Sequence, residues 1–230
     1  MPPTQPEAFA VEFDLASPII MDRGIGLPGL LAWIIADRGE PDPLPKVPLT
    51  HVHGIFAGSD LFVLGPSLDY HVPYVRSLRP AAMAHDLALR DRRGRPLEQI
   101  TLREERKNLM DSRRATSAAT LVAFGHGIRD EVARLLEGLR HIGAKRGGGY
   151  GAVAAVRVLP IEHPHAGFAD RVGNPLRAVP AEVWRRMNLP PRPIRNLVAR
   201  LPRWSAPREP CVGPREWALD ADAYARELGT

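Results

Sequence analysis

Cysteine occurs once in this 230-residue chain, at Cys211. A single thiol excludes an intramolecular disulfide and any zinc site built on cysteines. Aromatics are scarce at 6%, and no strand carries the aromatic motif on which RNA-recognition sheets stack bases. The longest apolar run, Leu27 to Ala36, is far too short to cross a bilayer. No basic stretch followed by an apolar run opens the chain, as a secretory signal would. These shortages point to a globular protein of a reducing cytoplasm with no membrane partner. Lysine is also rare, at Lys46, Lys107 and Lys145 only, although Lys+Arg total 31 against 26 for Asp+Glu. The formal charge of +5 favours anionic partners. Arginine favours bidentate phosphate contacts, although a GC-rich genome also yields arginine for lysine.

Apolar content of 44% is ordinary and sufficient for a core. Glycine is abundant where charge also gathers. His141-Ile142-Gly143-Ala144-Lys145-Arg146-Gly147-Gly148-Gly149-Tyr150-Gly151 holds five glycines around two adjacent cations. Glycine bends through positive φ and lets backbone approach a ligand closely. Such a loop presents N–H groups and cations to a polyanion. A P-loop needs Gly-x-x-x-x-Gly-Lys-[Ser/Thr], which is not found here. A dinucleotide fingerprint follows a strand and opens a helix. This run instead follows a helical pattern and opens a strand, which argues against a nucleotide cofactor. A plain helix cap would need one glycine rather than five.

Around the run, Phe9 to Leu15 alternates apolar and polar residues as a strand does. Leu27 to Asp37 reads as a buried helix ending at Gly39, with a cation in its last turn. Leu49 to Ala57 reads as a strand, Gly58 to Asp60 as a turn, and Leu61 to Leu64 as a short partner strand. Asp69 to Ser117 breaks the pattern as a basic insertion with a tight turn at Arg93-Gly94-Arg95-Pro96 and a partly self-paired helix over 98–114. Ala118 to Phe124 is again strand, Gly125 to Gly127 a turn, Ile128 to Leu139 an amphipathic helix, and Ala152 to Leu159 a strand. The order predicts an α+β, ferredoxin-like βαββαβ domain over residues 1–160, with an inserted arm at about 69–117. Residues 161–230 form an irregular extension packed on the same body. Its short helical pieces are Pro180 to Met187 and Asp220 to Leu228, and Trp184, Trp204 and Trp217 anchor it.

The segment from His141 to Val153 is similar to the form IGKKR-x-x-GYG-x-V of the CRISPR RAMP superfamily, in the small 5′-handle-binding backbone subunit of type IV effector complexes. Pro18 to Ala36 and Phe124-Gly125-His126-Gly127 resemble the same subunit, and the resemblance covers residues 8 to 160. It implies a non-catalytic protein of antiviral defence that needs no cofactor or metal. Such a protein grips guide RNA, caps a filament of larger RAMP backbone subunits, and positions the guide for target DNA. Base pairing by the guide, not the protein, reads the target. The RNA-binding residues it implies are Gly143, Lys145, Arg146, Gly147, Gly148, Gly149 and Tyr150 in the loop. In the arm, acting as a thumb, they are Arg90, Arg92, Arg93, Arg95, Arg113 and Arg114.

Two other classes stay open. His51 and His53, two apart on a strand, share a face. With Tyr70 or His71 they would supply acid–base groups for a metal-independent endoribonuclease acting on CRISPR precursor RNA. A protein-interaction module with an incidental basic face is the other. His163 and His165 flank Pro164 without a carboxylate cluster of metal-ligand spacing.

Overall fold

The structure, a computed structural model, describes residues 5–21, 24–76, 109–202, 205–214 and 218–229. Its first strand, β1 (Glu7–Leu15), is covered on both faces. Phe9, Val11 and Phe13 point into one core and Ala8 and Ala10 into another. The period of two makes the split, since successive side chains leave a strand on opposite sides.

Helix α1 (Leu27–Asp37) follows, with Pro28 in its first turn, where a missing N–H costs nothing. Leu30, Leu31, Ile34 and Ile35 form its buried stripe. It ends at Gly39, φ +95°, whose N–H donates to the Ala36 carbonyl. The expected cation, Arg38, sits at the cap one residue beyond the helix. Its guanidinium donates to the Leu135 carbonyl at 2.9 Å, at the end of α2 (Arg129–Leu136), where the helix dipole favours positive charge.

The residues expected as a second sheet strand fold differently. His51–Val52 (β2) and Ile55–Phe56 (β3) make a two-residue-a-side hairpin. His53 at φ +48° and Gly54 at φ +82° form its turn. The sheet strand is β4 (Phe62–Arg76), and its neighbour β5 spans Leu109–Gly127. Both strands therefore run into the stretch expected to break the pattern, and Leu109 to Arg114 is strand where a helix was expected. Gly125 to Gly127, expected as a turn, ends β5 in register with β1, Phe9 opposite Gly125 and Glu7 opposite Gly127. Close packing is the reason for these glycines. A Cβ on Gly125 would stand 2.6 Å from the Phe9 ring, and one on Gly127 would collide with the Pro48 carbonyl.

Strand β6 (Val153–Pro160) pairs with the other edge of β1. Three strands follow: β7 (Val179–Pro180), β8 (Ile194–Leu197) and β9 (Glu209–Val212). The last strand, β10 (Ala218–Leu219), lies parallel to β4. The main sheet is mixed and five-stranded, in the order β10-β4-β5-β1-β6. Helices α1 and α2 cover one face through Leu27, Leu31, Val132 and Leu136. On the other face Phe62, Val122 and Phe124 lie beneath Ile161, Ala166, Leu176 and Tyr224 of the C-terminal region. Burying each large apolar side chain contributes roughly 1.5–3 kcal/mol.

The C-terminal region is more ordered than its irregular sequence suggests. A three-stranded sheet, β7-β9-β8, packs with α3 (Ala181–Arg186). Trp184 is buried there, and its indole N–H donates to the Pro190 carbonyl at 2.7 Å. Trp204 and Trp217 lie outside the described residues. Helix α4 (Ala221–Leu228) is capped by Asp220, which accepts from the Ala223 N–H.

The chain divides into two units, one of Met1–Leu68 with Thr116–Thr230, the other Asp69–Ala115. Among the described residues no helix is long and apolar enough to cross a membrane.

Candidate nucleic-acid interface

The glycine run has a fixed foot and an open tip. At the foot, His141 bridges Ala152, and the Ile142 N–H donates to the Gly151 carbonyl at 2.8 Å. The Gly151 N–H donates to the Pro18 carbonyl at 2.8 Å and the Ala144 N–H to that of Ile20 at 2.9 Å. The Ser17 hydroxyl accepts from the Ala152 N–H at 2.9 Å. These bonds tie the foot to the 16–21 connection after β1. Gly143 (φ +89°) and Gly151 (φ +66°) occupy backbone that disfavours a side chain. A Cβ would stand 2.7 Å from the Ile20 carbonyl oxygen at Gly143 and would overlap the Ile142 carbonyl at Gly151.

At the tip, Lys145 is left-handed (φ +60°) and Arg146–Gly148 make one 3₁₀ turn, closed by Gly149 at φ +82°. Arg146 through Gly149 are exposed, while Lys145 and Tyr150 are half-buried. A Cβ on Gly147 or Gly149 would meet nothing within 4 Å. Four of the five glycines thus divide into two that packing requires, Gly143 and Gly151, and two at the tip, Gly147 and Gly149, with open space where a Cβ would stand.

One aromatic belongs to this site that its sequence did not single out. The Arg146 guanidinium carbon lies 4.3 Å from the ring centroid of Trp33, a cation–π stack across to α1. Trp33 is 36% exposed, although it sits in a helix expected to be buried. The signal was its position: it lies off the stripe of Leu30, Leu31, Ile34 and Ile35.

The stack divides two cavities. One, of about 430 Å³, is lined by Trp33, Asp37, Arg38, Glu137, Arg140 and Arg146 among others. Arg140 is exposed, whereas Arg38 is committed to the end of α2. The second, of about 420 Å³, is apolar and is lined by Ile20, Met21, Ile25, Leu30 and Ile142, with Trp33 and Arg146 at its side.

The other candidate residues fall elsewhere. In the unit Asp69–Ala115, Arg114 pairs with Asp69. That bond, together with the carboxylate charge, raises the guanidinium pKa. Arg113, also described, lies in β5. Arg90, Arg92, Arg93 and Arg95 lie outside the described residues.

His51 and His53 do not share a strand face. β2 stops at Val52 and His53 turns the hairpin, while the His51 ring lies 4.8 Å from that of Phe56. Tyr70 and His71 belong to the second unit, where His71 Nδ1 bonds the Ser112 hydroxyl at 3.2 Å. His163 Nδ1 accepts from the His165 N–H at 2.9 Å, and its Nε2 faces Glu227 Oε2 at 3.3 Å in a buried pair. Burial, then the charges of Arg171 and His165, push the His163 pKa down, and burial pushes that of Glu227 up. Burial also pushes the Cys211 thiol up to about 11, which leaves it un-ionised and inert. Among the described residues no group of three or more histidine, cysteine or acidic side chains could hold a metal ion.

No protein-family model matches this chain, and no curated protein matches it. The fold defines it as a mixed α+β protein with a five-stranded sheet.

Proposed function

We propose that this chain is a guide-RNA-binding subunit of a type IV CRISPR ribonucleoprotein that holds the 5′ handle and catalyses nothing. The observation that carries the reading is the loop of Gly143–Gly151: a rigid foot presenting an exposed, cationic, side-chain-poor tip. Phosphate contacts of this kind position a strand without reading its sequence. The resemblance of His141–Val153 and Pro18–Ala36 to the RAMP subunit supplies the identity of the strand.

A ferredoxin-like reading of the sheet supports the same assignment. The order β4-β5-β1-β6, with α1 after β1 and α2 after β5, fits that arrangement once β10 is set aside as an addition from the extension. The extension also covers the sheet face opposite the helices. That leaves the loop, rather than stacked bases on the sheet, as the RNA contact. The arm, with its arginines near Gly94, shapes the handle or the first guide bases, and larger backbone subunits continue the filament.

The test replaces Lys145 and Arg146 together with glutamate and measures guide RNA retained in the co-expressed, purified complex. The expected result is loss of most of the RNA. Retention at the wild-type level overturns the loop's role. The log–log salt dependence of binding should also flatten by about 1.4, two single-strand phosphate contacts at roughly 0.7 each.

A further inference from the structure

We infer that the apolar groove between α1 and the glycine loop seats one unstacked nucleobase of the strand whose phosphates lie on the loop tip. The inference rests on the RNA-binding reading above and deepens it by naming what lies beside the phosphate site. The groove, about 420 Å³, is walled by Ile20, Met21, Leu30 and Ile142. Its side is Trp33, an exposed indole on a helix whose other large apolar residues are buried.

Among the described residues that line the groove none is acidic, Arg146 at its edge is the one arginine or lysine, and His141 adds an imidazole. A ligand that fits must place a flat apolar plane beside a negative charge within one residue of its own chain. A nucleotide does this at every step: the base is the plane and the phosphate the anion. A duplex does not, because its bases are stacked inward. The aromatic side suits the occupant as well, since every base has a π-face and stacks on indole without regard to sequence. Arg146 lies over the Trp33 ring and lines both cavities. The same side chain therefore orders the indole and borders the charged cleft where Arg140 waits for the neighbouring phosphate.

The experiment uses the full-length protein and a fluorescein-labelled 12-nucleotide single-stranded RNA of mixed sequence. A second series carries one abasic ribose at each position in turn, and affinity is read by anisotropy. The expected result is one position at which removing the base weakens binding roughly tenfold, the scale of one base–aromatic stack. In Trp33→Leu that positional penalty should vanish, and Trp33→Phe should restore part of it. Trp33 is partly exposed, so thermal unfolding of both variants should stay within a few degrees of wild type, which keeps the comparison interpretable.

A flat abasic profile, with Lys145→Glu/Arg146→Glu still abolishing binding, overturns the base seat and leaves the RNA reading standing. A Trp33→Leu loss equal for intact and abasic RNAs also overturns it, because Trp33 then acts only by holding Arg146. If the labelled RNA does not bind at all, while a fluorescein-labelled acidic aromatic peptide does, the RNA reading itself fails and the inference falls with it.

Discussion

Gly151 and Gly147 stand four residues apart in one loop and are identical in chemistry, yet their surroundings differ completely. At Gly151 the backbone is left-handed and the Ile142 carbonyl occupies the space a Cβ would need. At Gly147 that space is empty. The arginines repeat the contrast. Arg177 is 2% exposed and donates to the carbonyls of Phe56 (2.7 Å), Gly58 (3.1 Å) and Ala199 (2.5 Å), joining the β2–β3 hairpin to the C-terminal region. Arg146 lies exposed over an indole. One member of each pair is consumed by packing and the other is presented to solvent. A residue's type does not announce its role; whether the fold already uses it does.

The contrast breaks most visibly at Arg177. Arg177→Met should cost roughly 4 kcal/mol, because several buried carbonyls lose a shared donor at once. The unfolding midpoint should fall by about 10 °C. A shift under about 2 °C would mean that water satisfies those carbonyls and that the arginine is not a clamp. Gly151→Ala comes next. A side chain at φ +66° must also displace the Ile142 carbonyl, at a cost of about 3 kcal/mol, read in the same melting experiment. If that variant melts like wild type, the foot is not rigid and the division of the loop fails.

The helix α1 and strand β1 were legible because their apolar spacing sets burial directly: every third or fourth residue in one, every second in the other. The rest of the sheet was less so. Gly125 and Gly127 carry the composition of a turn, but they are glycine because Phe9 and Pro48 press against them, a tertiary cause invisible to local pattern. The sheet β7-β9-β8 was hidden for the same kind of reason. Its strands are two to four residues long and proline-interrupted, too short for a period to register. At the candidate site the loop was legible from its charge and glycine content. The role of Trp33 was not, because its partner lies over a hundred residues away and no spacing rule connects them.

Titration separates packed from presented groups in a smaller way. His126, half-buried between Gly125 and Gly127, bonds the Thr50 hydroxyl at 2.8 Å, and burial lowers its pKa. A histidine held below its unfolded value of about 6.5 contributes stability above that pH and loses it as pH falls through the folded value. Wild type should therefore lose more stability between pH 7 and pH 5 than His126→Asn does, measured by denaturant midpoints at each pH. Identical profiles would show that the imidazole titrates as freely folded as unfolded.

The smallest change in folding is expected at Gly147, and it is the most discriminating. No Cβ contact and no positive φ hold this residue to glycine, so Gly147→Ala should shift stability by less than about 0.5 kcal/mol. Gly149→Ala, at φ +82°, should cost about 1 kcal/mol. If folding does not require the missing side chain at Gly147, only something outside the chain can. An RNA backbone laid across the tip would meet the new methyl group, and affinity should fall several-fold while melting stays unchanged. Unchanged affinity would mean that the open space at the tip is incidental, and the distinction between packed and presented glycines would then describe the fold without explaining the loop.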